Sequence, residues 1–214
     1  MIYFAAILLD VPPEDPAEQA RRERSLAAGL ASSSGWHAVC DPWSGMDLTR
    51  FGFARDRPQT WMVRPPAGVA GSADADGHGF EMVRVSDGPT LGEFEAVHNE
   101  GFGAKPSPPR TYYGPALLDD PRIHVFIARD AGGGGGAVGT AMAYAGDDVV
   151  GVYSVSVIPS FRGRGIGWAL TREAVNAAAD RPAVLQPSEE GLALYRRMGF
   201  DAFADFAVWI RPER

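Results

Sequence analysis

The sequence predicts an α/β protein: a mixed sheet with helices on both faces, joined to a small amino-terminal α/β lobe. Three observations carry that expectation. Strand-like and helix-period runs alternate from Phe80 to Ile210 in the order β-α-α-β-β-β-α-β-α-β. Consecutive strands there lead into a β-α-β segment, which combines antiparallel with parallel pairing. Upstream, residues 64–79 turn to Pro, Gly, Ala, Ser and Asp with almost no large apolar side chain, the composition of a linker. The expected division is a small lobe at 1–75 and a larger domain at 79–214.

Each element has its own signal. Asp15 to Ser32 is amphipathic, with Pro16 in the first turn, Glu14, Asp15 and Glu18 at the positive end, and Gly35 as a stop. Trp36 to Cys40 and Gln59 to Val63 are short strands. Phe80 to Val85 is a strand, Leu91 to Glu100 a helix, and Arg110 to Leu118 helical or irregular. Ile123 to Arg129 and Ala137 to Tyr144 are strands that flank Gly132 to Gly136. No helix follows that glycine run, so it reads as a hairpin tip and not as a phosphate cradle. Asp147 and Asp148 turn the chain into a strand from Val149 to Val157. Gly163 to Ala179 is a helix with Ile166, Ala169, Leu170, Ala174 and Ala178 at helical spacing. Ala183 to Gln186 is a strand, Ser188 to Met198 a helix, and Phe203 to Ile210 the last strand.

Composition narrows the function classes. The 214 residues are 45% hydrophobic and 22% charged, enough for a real core. A net charge of −7 argues against nucleic acid as the main partner. Cys40 is the only cysteine, and His37, His78, His98 and His124 show no H-x-x-x-H spacing, so neither a disulfide nor a metal site is expected. The apolar run Met1 to Leu9 has no basic flank and ends at Asp10; a cytoplasmic protein with no membrane association is expected.

The chemistry concentrates in Val155-Ser-Val-Ile-Pro-Ser-Phe-Arg-Gly-Arg-Gly-Ile-Gly-Trp168. A strand runs into a turn at Pro159, three glycines interleave with Arg164 and Ile166, and a helix begins within the run. A pyrophosphate needs several donors converging on one small volume, and the free N–H groups of a helix N-terminus supply them. Gly163, Gly165 and Gly167 let the backbone approach without Cβ interference, while Arg162 and Arg164 bring positive charge. The spacing is G-x-G-x-G, neither the G-x-G-x-x-G of dinucleotide folds nor a P-loop.

With Val157-x-Pro159 ahead of Arg162-x-x-Gly165-x-Gly167, the segment resembles the acetyl-CoA motif of the GNAT superfamily of N-acetyltransferases, V-x-P-x-x-[RQ]-x-x-G-x-[GA]. The element order from Phe80 to Ile210 is similar too. The resemblance implies a GNAT-like acyl-CoA N-acyltransferase fold, with acetyl-CoA as cosubstrate and a primary amine, of a small molecule, as acceptor. It places the pantetheine arm along Val155, Ser156 and Val157. The pyrophosphate falls on the loop of Arg162, Gly163, Arg164, Gly165, Ile166, Gly167 and Trp168. Downstream, Ser188 to Tyr195 aligns with the family's N-x-x-A-x-x-x-Y. That makes Tyr195 the general acid for the departing thiolate and Ser188 a cofactor contact in place of the usual asparagine, or else the helix N-cap.

Some relatives carry a basic glutamate on the strand before the loop, but Val149 to Val157 holds no Asp, Glu or His. Deprotonation of the amine then falls to a water chain held by Ser154 or Ser156, or to Glu100 or His98; Glu100 is the residue assigned. Phe102, Tyr112 and Tyr113 fall where the family forms its acceptor pocket. Pro58-Gln-Thr-Trp-Met-Val63 resembles a strand of two-lobed GNAT proteins whose first lobe has lost the loop. Family habit implies a homodimer. Two other functions compete: a non-catalytic acyl-CoA-binding or regulatory module, and acetylation of a protein N-terminus or lysine.

Overall fold

The computed structural model describes residues 4–7, 14–31, 37–69, 79–105, 108–109, 111–132 and 134–211. They fall into two compact units, Met1–Trp61 with Ala202–Arg214, and Met62–Asp201. This differs from the expected lobes at 1–75 and 79–214. The last strand groups with the amino-terminal segment because its long-range pairing there outweighs its place in the chain. No helix among the described residues is long and apolar enough to cross a membrane.

In the first unit, β1 (Phe4–Ile7) pairs in parallel with β2 (His37–Asp41), and β2 pairs antiparallel with β9 (Asp201–Arg211), setting Val39 opposite Trp209. β3 (Ala54–Arg64) lies beside β9, where the Thr60 hydroxyl donates to Asp205 Oδ1 at 2.6 Å. Helix α1 (Pro16–Ala31) sets Leu26 and Leu30 against Val39, Met46, Leu48, Phe53 and Trp209. Its buried Glu23 accepts from the Asp47 amide at 3.0 Å and pairs with Arg50. β3 exceeds the expected Gln59 to Val63 because its first half is polar and exposed, leaving no apolar alternation to read. The expected boundary residues Ser32 and Trp36 lie outside the described residues.

The second unit holds the end of β3, then β8 (Ala183–Leu185), β7 (Val150–Val157), β6 (Ala137–Ala145), β5 (Ile123–Asp130) and β4 (Phe80–Arg84), in that order. β4, β5, β6 and β7 pair antiparallel in succession, while β7 and β8 are parallel. The sheet is mixed, as expected. Val125 and Ile127 of β5 meet Leu91 and Phe94 of α2 (Gly88–Gly101) on one face. Phe126 and Ala128 meet Ile166 and Leu170 of α3 (Ile166–Asn176) on the other.

Local chemistry explains where elements depart from expectation. α2 starts before Leu91 because Asp87 Oδ1 caps the Thr90 amide at 2.8 Å and Pro89 sits in the first turn. α3 is shorter than Gly163 to Ala179, since Gly163 and Gly165 both take positive φ, near 77° and 82°. The helix α4 (Leu192–Arg197) is shorter than Ser188 to Met198, and Pro115–Asp119 forms a 3₁₀ turn. Part of the supposed linker is tied down. Arg64 donates to the Met198 carbonyl at 2.8 Å, and Asn176 brackets Val69, accepting from its amide at 2.9 Å and donating to its carbonyl at 3.3 Å.

β6 and α3 touch at Gly139. A Cβ there would lie 2.8 Å from Leu170 Cδ1 and 3.0 Å from the Ser156 carbonyl oxygen. Gly29 in α1 has nothing within 4 Å of its missing Cβ. Gly139→Ala should therefore lower stability by about 1–3 kcal/mol through overpacking. Gly29→Ala should raise it by about 0.5–1 kcal/mol by removing backbone entropy from the unfolded chain. Urea midpoints that move in the same direction would contradict this packing.

Candidate functional site

The site begins where β7 leaves its neighbour. β7 pairs with β8 at Val150↔Ala183 and Gly151↔Val184, and then continues to Val157 against β6. Its register against β6 shifts between Tyr153↔Met142 and Ser156↔Thr140, so two β7 residues, Ser154 and Val155, face the single residue Ala141. Ser154 takes a positive φ of 54°, unusual for a residue with a side chain. Val155 and Val157 pack against the α3-side core, while the buried Ser156 hydroxyl pairs with the Thr140 hydroxyl at 2.9 Å.

Beyond β7, Pro159–Phe161 makes one 3₁₀ turn, and the chain enters α3 through Gly163, Arg164 and Gly165. Positive φ at both glycines, with Arg164 between them on the ordinary side, alternates the backbone hand, the pattern from which anion-binding nests of successive N–H groups are built. Gly165 is the N-cap of α3, and no side chain caps that end. The first amides of α3 thus lack an intrahelical partner and add the positive pole of the helix. Ile166 anchors the turn in the core at 2% exposure. The resulting open cleft is lined by Phe80, Asp130, Gly163, Arg164 and Gly165.

The two arginines separate in role. Arg162 donates to the Gly101 carbonyl at 2.7 Å and the Val157 carbonyl at 3.2 Å, and reaches Glu190 at 3.4 Å, so it clamps the end of β7 to the end of α2. Arg164 is exposed, lies 4.6 Å over the Phe161 ring, and borders the cleft. Of the pair, Arg164 is the cation at the concavity. Asp130 on the same cleft opposes an anion, so the loop amides matter the more.

Downstream, the Ser188 hydroxyl accepts from the Gly191 amide at 3.1 Å, capping the turn ahead of α4. Tyr195 is buried at 8% exposure, packs edge-on to Phe200 at 5.9 Å, and hydrogen-bonds the Thr171 side chain. Burial pushes its phenol up to about 12, partly offset by that bond, so the hydroxyl is protonated at neutral pH. Trp168 packs against the same core.

Glu100 is exposed in the last turn of α2. The side chain of that helix that meets the β7 bulge is His98. Fully buried, it stands 3.4 Å from the Tyr113 hydroxyl, which in turn reaches the Ser154 hydroxyl at 3.0 Å. One turn earlier, buried Glu95 accepts from the Thr111 and Tyr112 amides at 2.9 and 3.0 Å. Sequence reasoning missed Glu95 entirely. The available signal was its place, with His98, on the apolar stripe of Leu91 and Phe94.

Residues 121–202 match the family model of the acetyltransferase (GNAT) domain. Solved structures share the chain's fold. A GCN5-related N-acetyltransferase from Kribbella flavida is 20% identical, with a TM-score of 0.67 over 97% of this chain and 81% of its own. A functionally unknown conserved protein from Staphylococcus epidermidis is 14% identical, at 0.60 over 97% and 84%. A tandem GNAT protein from the clavulanic acid biosynthesis pathway is 12% identical, at 0.60 over 96% and 73%. A comparison with curated protein sequences finds no match. The matched segment runs from just before β5 to the start of β9 and contains the whole glycine loop.

His98 makes the domain acid-sensitive. Burial lowers its pKa from 6.5 to about 4, against an opposing hydrogen bond from the imidazole to the Ser154 backbone. Between those values the unfolded chain holds the proton and the folded chain does not, so stability falls as pH falls. At about 1.4 kcal/mol per unit the full loss is roughly 3 kcal/mol. The stability difference between wild type and His98→Gln should shrink from pH 7 to pH 4.5, read from paired urea titrations; a constant difference would refute the assignment.

Proposed function

We propose that this protein is an acetyl-CoA-dependent N-acetyltransferase whose acceptor is the primary amine of a small molecule. The observation that carries the reading is the uncapped N-terminus of α3 behind two positive-φ glycines, at the point where β7 has parted from β8. Bound acetyl-CoA would supply the activated thioester carbonyl. The backbone of Val155–Val157 would align the pantetheine arm, and the amides from Gly163 to Trp168, with Arg164 beside them, would hold the pyrophosphate. The Ser188 hydroxyl accepts from the Gly191 amide and keeps its own O–H to donate to the cofactor.

Tyr195 is the proposed acid. A phenol near 12 is a weaker acid than a thiol near ~8.5. Full proton transfer is therefore uphill, and much of the benefit comes from a hydrogen bond to the developing thiolate. For the base we keep the exposed Glu100 at the end of α2, acting on the amine through water and not by direct contact.

A non-catalytic acyl-CoA-binding module is the alternative, favoured by the absence of Asp, Glu and His from Val150–Val157. Calorimetric titration with acetyl-CoA, followed by thiol release across an amine panel, separates the two. We expect binding together with thiol release for at least one small amine; binding without release from any amine would select the module. Tyr195→Phe should lower turnover roughly 10- to 100-fold, the worth of one charge-assisted hydrogen bond, with acetyl-CoA affinity little changed. Equal turnover in both proteins would return Tyr195 to the core.

A further inference from the structure

We propose that Tyr113 and His98 are positioning residues that hold Ser154 in its left-handed bulge and thereby set the direction of Val155–Val157 at the donor site. The inference rests on the acetyltransferase reading and adds to it a role for residues outside the loop.

The geometry has three parts. First, Ser154 carries a side chain at a φ of 54°, a conformation that costs on the order of 1 kcal/mol without compensation. Second, contacts converge on it. The Tyr113 hydroxyl meets its hydroxyl at 3.0 Å and itself stands 3.4 Å from His98 Nε2 of α2, and Thr140 on β6 donates to its carbonyl at 2.7 Å. Third, the parts doing the holding are themselves fixed. Glu95 ties the 111–112 backbone to α2, and the Tyr113 ring packs edge-on to Phe94 at 5.1 Å and to His98 at 5.5 Å. Tyr113 is 8% exposed and His98 fully buried, so water does not compete for these bonds.

The functional consequence follows from strand geometry. Side chains and peptide groups alternate along a strand, so the extra residue at Ser154 decides which way the following peptide groups point. If the bulge relaxed, the Val155 and Val157 peptides would turn from the β8 side, where β7 has no partner strand beyond Gly151 among the described residues. The backbone alignment proposed for the pantetheine arm would be lost with it.

Glycine distinguishes positioning from proton relay, because it adopts φ near +54° with no Cβ penalty. The experiment measures thiol-release kinetics and acetyl-CoA affinity for wild type, Tyr113→Phe, and the double variant Tyr113→Phe with Ser154→Gly. Tyr113→Phe should lower kcat/KM by about fivefold to tenfold, the worth of one hydrogen bond. The double variant should recover most of that loss, although it lacks both hydroxyls. Unaltered kinetics in Tyr113→Phe would overturn the proposal. So would equal or greater impairment in the double variant, which would instead assign the hydroxyls to proton transfer. Wild-type protein that fails to bind acetyl-CoA would overturn this inference together with the function it rests on. Wild-type activity with no rescue would overturn this inference alone.

Discussion

A strand that keeps one neighbour while leaving the other exposes backbone groups that must find new partners, and β7 does this at the centre of its sheet. Its pairing with β6 continues to Val157, whereas its pairing with β8 is registered at Val150 and Gly151 alone. The bulge at Ser154 lies between these two regimes. Everything proposed for the donor site depends on it: the unpaired edge, the exit angle into Pro159, and the approach to α3. The separation also explains the crowding behind the strand. Gly139 and Gly101 bring β6's neighbour helix and the end of α2 close enough that a Cβ at either would contact Ser156 or Leu170 within 3 Å.

The loop beyond the bulge works through main chain more than side chain. Two positive-φ glycines turn the amides, and an uncapped helix end supplies the rest. Arg162, which charge alone would assign to phosphate, spends its guanidinium on the Gly101 and Val157 carbonyls. That clamp fixes the loop's base to the end of α2, the same helix whose buried face meets the bulge. The loop and the bulge are thus held by one helix from two points.

This division sets what the sequence revealed. Glycine and proline report backbone conformation directly, so the Val157 to Gly167 register was readable before any coordinates. The alternating strands and the mixed sheet were readable for the same kind of reason, since their apolar periods survive burial. Polar residues on a buried helix face carry no such mark. Glu95 and His98 share the stripe of Leu91 and Phe94, but a stripe does not say which strand it will meet, and Glu100, the candidate base, is exposed. Element lengths failed where caps decided them, as at Asp87 and Gly165. The two compact units divide elsewhere than at 75–79 because β9 returns to β2 across most of the chain, a pairing that no local pattern encodes.

The same asymmetry bears on the two halves of the proposed reaction. A donor cradle built from N–H groups constrains only where glycine must stand, and it tolerates Asp130 nearby because amide dipoles act at contact distance. An acceptor site must be built from side chains, and those that meet the β7 bulge from the α2 side are Tyr113, Ser154 and a His98 whose pKa burial lowers to about 4. A surface of neutral hydroxyls cannot attract an ammonium by charge, but it also does not stabilise the protonated, unreactive form of an amine. A site of that kind would favour the free base of an amine, which fits a β7 that carries no carboxylate.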